Sequence, residues 1–470
     1  MTAPTTLPSA APAPPGRGGR WIEEWHPEDE EFWRARGARV ARRNLVCSVL
    51  SEHIGFSVWS MYAVLALFMG PEYGVDAAGK FFLVAVASLV GAVLRVPYGL
   101  AVARFGGRNW TVFSAGLLLL PTAALLVVME PGTPYAVLMA VAVLTGVGGA
   151  NFASSMTNVN AFYPQRLKGW ALGVNAGGGN IGVAVVQVLG LVVIGTVGAD
   201  HPRVLPALYL PLIVVATVWS ARRMDNLAPV RNDTGAAREA LREPHTWIMS
   251  LLYVGTFGSF IGYGFAFGLV LQNQFGRTPL QAASLTFVGP LLGSLIRPLG
   301  GALADRLGGA RVTLVTFGLM GGAAGVVVVA SVRQSLPLFI SAFVALFVLT
   351  GVGNGSTYKM IPGIFRARAA ERGLSGEAAA ERARRLSGAA MALIGAVGAL
   401  GGLGINLALR QSFLTVGSAT GAFVAFLGYY ALCSLVTWAV YLRPRPGRAA
   451  SHTAPGPSPE PDPAGRRAGG

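Results

Sequence analysis

Apolar residues along this chain come in blocks longer than a soluble helix or strand needs. Ala136–Leu144, Val183–Val197, Leu314–Ala330 and Phe339–Val352 each sit inside about 20 residues with few charges, the length that crosses a hydrocarbon core as a helix. Barrel strands would alternate apolar and polar positions over about 10 residues, and these runs do not. The pattern predicts twelve spans, near 45–69, 79–103, 110–129, 134–157, 168–197, 204–222, 245–271, 280–304, 311–332, 336–362, 386–410 and 417–442. The expected fold class is an all-α membrane protein.

Composition agrees: 53% of the 470 residues are hydrophobic and 12% are charged, about half the charged share of a soluble domain. The net charge of +16 would suit a nucleic-acid partner if it were clustered. Instead it follows the spans. With both termini in the cytoplasm, inside segments hold 30 of the 37 Lys and Arg, and outside loops and span ends hold only Lys80, Arg203, Arg277, Arg333 and Arg410. This is the positive-inside asymmetry, and it requires an even number of spans. The basic balance records topology in the cytoplasmic membrane, and no nucleic-acid partner is expected. Cys47 and Cys433 are far apart in apolar segments without spaced His or Cys neighbours, so no metal, cofactor or disulfide framework is expected. Met1–Gly19 lacks the basic-then-apolar order of a signal peptide. No nucleophile–base constellation outside the membrane points to an enzyme.

The expected organisation is a disordered tail plus an aromatic amphipathic segment at the membrane surface (1–44), a six-helix half (45–222) and a linker (223–244). A second six-helix half (245–442) and a disordered tail (443–470) follow. A further short helix is expected in the charged loop Arg366–Arg385. The two halves repeat a motif. Arg95-x-Pro-x-Gly99 followed by Arg104 and Gly106-Gly107 matches Arg297-Pro-x-x-Gly301 followed by Arg306 and Gly308-Gly309. Thr145-Gly-Val-Gly148 echoes Thr350-Gly-Val-Gly353, offset by 205 residues against 202 for the arginines. Two pseudo-symmetric halves of this kind suit an alternating-access carrier with its site near mid-membrane. The Gly/Arg loops after spans 2 and 8 resemble the cytoplasmic loop motif of the major facilitator superfamily, although the first has Ala103 where the second has Asp305.

Arg95 and Arg297 stand at equivalent places deep in apolar helices, where an arginine costs at least about 2.5–3.5 kcal/mol. The bland reading is that each pairs with a carboxylate or caps a helix carbonyl. Spans 2, 4, 5, 7, 10 and 11 contain no Asp or Glu, which favours a substrate anion gripped by two planar guanidinium forks. In span 5, Gly169, Gly173 and Gly177 share a face suited to close helix contact. The run Gly177-Gly178-Gly179 costs about 1 kcal/mol of helix propensity per residue, so a neighbouring helix or a small ligand should approach there. Glu52 and His53 could relay a proton, but a polar start to span 1 is the plainer account. Asp305 is expected to pair with a nearby arginine as a conformational latch.

Gly148-Gly-Ala-Asn-Phe-Ala-Ser-Ser155 and Gly173-Val-Asn175-Ala-Gly-Gly-Gly-Asn180-Ile-Gly182 closely resemble the signature of the nitrate/nitrite porter family. Gly353-Asn-Gly-Ser-Thr-Tyr-Lys-Met-Ile-Pro362 is similar to its span 10 segment, and Trp25-His-Pro-Glu-Asp-Glu-Glu-Phe-Trp33 with Phe56-Ser-Val-Trp59 to its opening. The resemblance implies that Arg95 and Arg297 bind the anion, with Asn180, Phe152, Tyr253 and Phe257 shaping the pocket. Gly177, Gly178, Gly179, Asn175, Asp305 and Arg306 would serve the motif and gating. The expected function is nitrate/nitrite exchange by a monomer in the lipid bilayer. Proton-coupled nitrate symport leading into assimilation is the alternative. A drug or organic-cation exporter and a non-transporting nitrate receptor are more distant.

Overall fold

The computed structural model describes residues 20–443, so the tails expected at the two ends fall almost entirely outside the described residues. Among the described residues, eleven helices are both long and apolar enough to cross a bilayer. They are α2 Ala77–Phe105, α3 Gly107–Val128, α4 Tyr135–Phe162, α5 Gln165–Thr196, α6 Val204–Arg223 and α7 Pro244–Phe275. The series continues with α8 Pro279–Leu307, α9 Gly309–Val332, α10 Leu336–Glu371, α11 Gly376–Val416 and α12 Thr420–Leu442.

The twelfth, α1 Ala38–Leu65, has 28 residues and reaches about 42 Å at 1.5 Å per residue. It is less apolar because it lies inside the bundle. Asn44, Ser48, Ser51, Glu52, Ser57 and Ser60 are all buried along it, and a helix ringed by other helices needs no face for lipid. The helix begins about two turns before the expected span 45–69. Helix α7 is also interior, with 94% of its apolar window buried against 28% for α12.

Prolines shape the two arginine helices. Pro97 has no N–H to give the Val93 carbonyl, and α2 breaks at Leu94, directly before Arg95. Helix α8 breaks at Phe287, three residues ahead of Pro290, and Pro298 follows Arg297 inside the continuing helix. The halves meet from mid-bundle to the end away from the arginine-rich loops. Trp59 meets Phe265 at 5.1 Å, Phe81 stacks on Phe413 at 5.4 Å, and Gln187 donates to the Gly264 carbonyl at 2.7 Å.

The arginine-rich end departs from expectation twice. The opening segment does not lie free at a membrane surface. Its strand β1, Trp21–Ile22, pairs in parallel with β2, Asn226–Leu227. Trp25 donates to the Phe162 carbonyl at 3.2 Å, and Trp33 packs on Tyr163 at 5.7 Å. Protein neighbours, not lipid, bury these indoles. Nor does Arg366–Arg385 form its own short helix. Helices α10 and α11 continue through it, leaving a turn at 372–375, and their arginines engage a linker helix, Thr234–Arg242. Glu239 pairs with Arg372 at 2.8 Å and also with Arg382, and Glu243 pairs with Arg368 at 3.2 Å.

Candidate functional site

Arg95 and Arg297 are both buried, 2% and 8% exposed. Neither makes an ion pair among the described residues. Arg95 donates from Nε to the Gly149 carbonyl at 3.3 Å and from Nη1 to the Gly395 carbonyl of α11 at 3.0 Å. Its Nη2 has no protein partner. So the carbonyl-capping alternative holds for part of Arg95, and one of those carbonyls belongs to the opposite half. Arg297 donates from Nη2 to the Tyr253 hydroxyl at 3.2 Å, and its Nη1 has no protein partner.

Aromatic rings surround and connect the two cations. The Arg95 guanidinium lies 4.5 Å from the Phe152 ring centre, 5.0 Å from Phe257, 5.6 Å from Trp59 and 5.9 Å from Phe56. Such contacts contribute about 0.5–2 kcal/mol each when desolvated, which offsets part of the burial cost. Phe152 meets Phe257 at 6.0 Å, Phe257 stacks on Tyr253 at 5.3 Å, and Tyr253 holds Arg297. A continuous ladder of rings thus runs from one arginine to the other across the two halves.

Local backbone irregularity places these groups. The turn Val254–Gly258 is a π-helical bulge, a feature that recurs at functional sites because the extra residue re-aims side chains. Here it carries Phe257 one turn after Tyr253. Glycine at 355 lets α10 sit directly on the arginine's backbone, since a Cβ there would meet the Arg297 carbonyl and the Gly301 nitrogen.

The span 5 signature divides into two groups. Glu52 is wholly buried in the middle of α1, so it is not the polar start of a helix. Its Oε2 accepts from Ser155 and, at 2.6 Å, from Asn175, while Oε1 has no donor. A Cβ at Gly179 would strike this carboxyl, and the Gly178 carbonyl meets the His53 ring at 3.0 Å. These glycines permit the contact between α1 and α5. The stripe Gly169, Gly173 and Gly177 does not, because nothing lies within 4 Å of a Cβ built at any of the three. Their face points away from α1.

Asn180 is buried and neither amide atom has a protein partner; the same is true of Asn151 and Asn354. Asp305 pairs with Lys359 at 3.0 Å and not with an arginine, because α10 presents the lysine beside the end of α8. Arg306 is exposed next to it. Among the described residues no group of three His, Cys, Asp or Glu could hold a metal ion.

Sequence reasoning quoted Phe56, Trp59 and Tyr358 only within matching segments and gave them no place at the site, where Tyr358 lies 5.5 Å from the Tyr253 ring; Gly395 it did not single out. The i, i+3 spacing of Phe56 and Trp59 places both rings on one helix face and could have assigned them to the Arg95 pocket. Gly395 acts through its carbonyl, which no side-chain motif marks. Chemically, two fixed guanidinium groups with free N–H donors and apolar walls suit a small, weakly hydrated oxyanion. A buried donor left unmatched costs about 1–3 kcal/mol, which such an anion would relieve.

The sequence profile of the Major Facilitator Superfamily matches residues 50–405. The nitrate/nitrite transporter NarU of Salmonella typhimurium is 38% identical over 449 residues, 90% of this chain and 97% of the relative. NarU of Escherichia coli is 37% identical over 90% of this chain and 96% of its own length. The probable nitrate/nitrite antiporter NarK2 of Thermus thermophilus is 31% identical over 90% of this chain and 97% of its own. Among solved structures, the nucleoside transporter NupG (D323A mutant) superposes with a TM-score of 0.60 at 11% identity, covering 85% of this chain and all of that one. That likeness concerns the fold alone.

Proposed function

We propose, for a chain that belongs to the Major Facilitator Superfamily and to its nitrate/nitrite transporters, that Arg95 and Arg297 grip the anion between the two halves and that transport is nitrate/nitrite exchange. The observation that carries this reading is the pair of buried arginines, one per half, neither ion-paired among the described residues and each with an unmatched Nη. Without an anion the two cations repel in low dielectric and oppose closure of the cavity. An anion between them neutralises part of that repulsion, so the carrier switches efficiently only when loaded. One-for-one exchange of monovalent anions is electrically neutral and needs no proton site. Phe152 and Phe257 wall the pocket, Tyr253 fixes the Arg297 fork, and Asn180 supplies an amide donor. Gly178 and Gly179 keep α1 and α5 in contact, and Asp305–Lys359 latches one conformation.

The same reading places the protein in the cytoplasmic membrane as a monomer, with both termini and the arginine-rich end in the cytoplasm. It divides the chain into halves at 45–222 and 245–442. Counterflow in liposomes tests it. Internal nitrite should accelerate nitrate entry without a voltage signal, and Arg95→Ala or Arg297→Ala should abolish it. Transport by purified protein also separates a carrier from a receptor.

A second reading, proton-coupled symport, is favoured by one observation. Glu52 is buried without an ion pair among the described residues and touches Ser155 and Asn175 of the signature segments. Burial of an ionised carboxylate in that setting is costly, so Glu52 suits the role of a proton carrier. His53 lies on the adjoining face against Gly178, and the arginines are the cations of the same cavity. A pH gradient that accumulates nitrate in vesicles lacking nitrite, and fails to do so in Glu52→Gln, would establish this reading over exchange.

A further inference from the structure

A second basic site lies outside the transport path. A groove of about 560 Å³ opens where α1 and α6 meet at the arginine-rich end, lined by Ala38, Arg39, Arg42, Arg43, Val46, Trp219 and Arg223. Four of these seven residues are arginines. Among the described residues Asp225 is the one carboxylate paired with them, through Arg43, whose Nε is nevertheless buried without a partner. Arg39 and Arg42 make no ion pair among the described residues, and the Arg223 guanidinium lies over the Trp219 ring at 5.2 Å. Below the charges, Val46 and Trp219 are about half exposed, 52% and 46%. The groove therefore joins a cationic rim to an apolar floor.

We propose that this groove binds the phosphate headgroup of an anionic phospholipid from the cytoplasmic leaflet, with its acyl chain along Val46 and Trp219. The placement of that end rests on the proposed orientation. Four arginines against one carboxylate leave an excess of three positive charges, and guanidinium forks match phosphate oxygens two at a time. Free phosphate would use the same forks but gains nothing from the apolar floor. A tryptophan at the polar–apolar boundary is where lipid headgroups and indoles share an interface. Basic pockets between helices on the cytoplasmic side recognise headgroups in this way. Because α1 and α6 belong to the same half, an occupant here would clamp that half without crossing the cavity.

The test uses the full chain, purified in neutral detergent after exposure to mixed phosphatidylcholine/phosphatidylglycerol vesicles. Native mass spectrometry then counts the phosphatidylglycerol retained. Each basic residue near an anionic surface is worth about a fivefold change in binding, so Arg42→Gln/Arg223→Gln should retain about thirtyfold less. Arg366→Gln/Arg384→Gln removes the same charge elsewhere at that end and should retain wild-type amounts. Inorganic phosphate at millimolar concentration should not displace the lipid. Equal retention by both double variants, or displacement by inorganic phosphate alone, would overturn the proposal. Both readouts are independent of transport, so a failed exchange assay leaves them interpretable. An inverted orientation, read by cysteine labelling of the loops, would instead sink the topology on which the site rests.

Discussion

Replacing Arg297 separates charge from geometry at the proposed anion site. In the wild type its Nη2 is held by the Tyr253 hydroxyl at 3.2 Å and its Nη1 is free of protein partners. Lysine keeps the charge but not the fork. It loses one anion hydrogen bond and leaves Tyr253 without its donor, and hydrogen bonds to charged groups contribute about 1.5–3 kcal/mol. Arg297→Lys should therefore raise the nitrate KM about 10- to 100-fold. Alanine also removes the Coulomb attraction, about 4 kcal/mol at 4 Å in an effective dielectric near 20, and should cost about a thousandfold or more. The assay is initial-rate nitrate uptake into nitrite-loaded liposomes, with thermal unfolding in detergent to verify folding. A folded Arg297→Ala protein with a KM within about threefold of wild type would falsify the assignment. Equal losses in the lysine and alanine variants would show that the planar fork, and not the charge, carries binding.

Tyr253→Phe removes the hydroxyl that orients Arg297 but keeps the ring on Phe257, so KM should rise about tenfold with little change in thermal stability. Gly179→Ala places a methyl group against the Glu52 carboxyl and should destabilise the protein by about 1–3 kcal/mol. Gly177→Ala meets nothing within 4 Å and should leave stability unchanged or raise it by up to about 1 kcal/mol; the two melting curves compare them directly. Lys359→Ala breaks an ion pair whose side chains are about half exposed. Its effect on unfolding should stay within about 1 kcal/mol, so a larger loss would show that the pair does more than latch a surface.

The membrane class and paired halves were legible because bilayer thickness, loop charge and internal repetition leave coarse marks on a sequence. Arg95 and Arg297 were legible because buried charge in an apolar helix is expensive wherever it occurs. What escaped depended on direction. Periodicity put Gly169, Gly173 and Gly177 on one face, but could not say that the face meets no neighbour while Gly178 and Gly179 do. Hydropathy marks a span from about 45 and is silent on the two earlier turns of α1, because an interior helix can be polar for several turns before its apolar core begins. The indoles of Trp25 and Trp33 suit a membrane interface by composition, and only the pairing of β1 with β2 draws them against protein.

On the proposed assignment, one contact would link binding to conformational change. Arg95 belongs to the first half, yet its Nη1 donates to Gly395 of the second, and its guanidinium touches Phe257 from that half at 5.0 Å. A hydrogen bond to a helix carbonyl is a weaker partner for a guanidinium than an oxyanion that can accept two. On the proposed assignment an arriving anion would take the unpartnered Nη2, leave the Nη1 bond that ties α2 to α11 in place, and draw Arg297 toward the same point. Loading would add a link through the substrate to the direct bond between the halves. In that arrangement the substrate offsets the repulsion between the two cations, and the loaded carrier is held at one more point than the empty one.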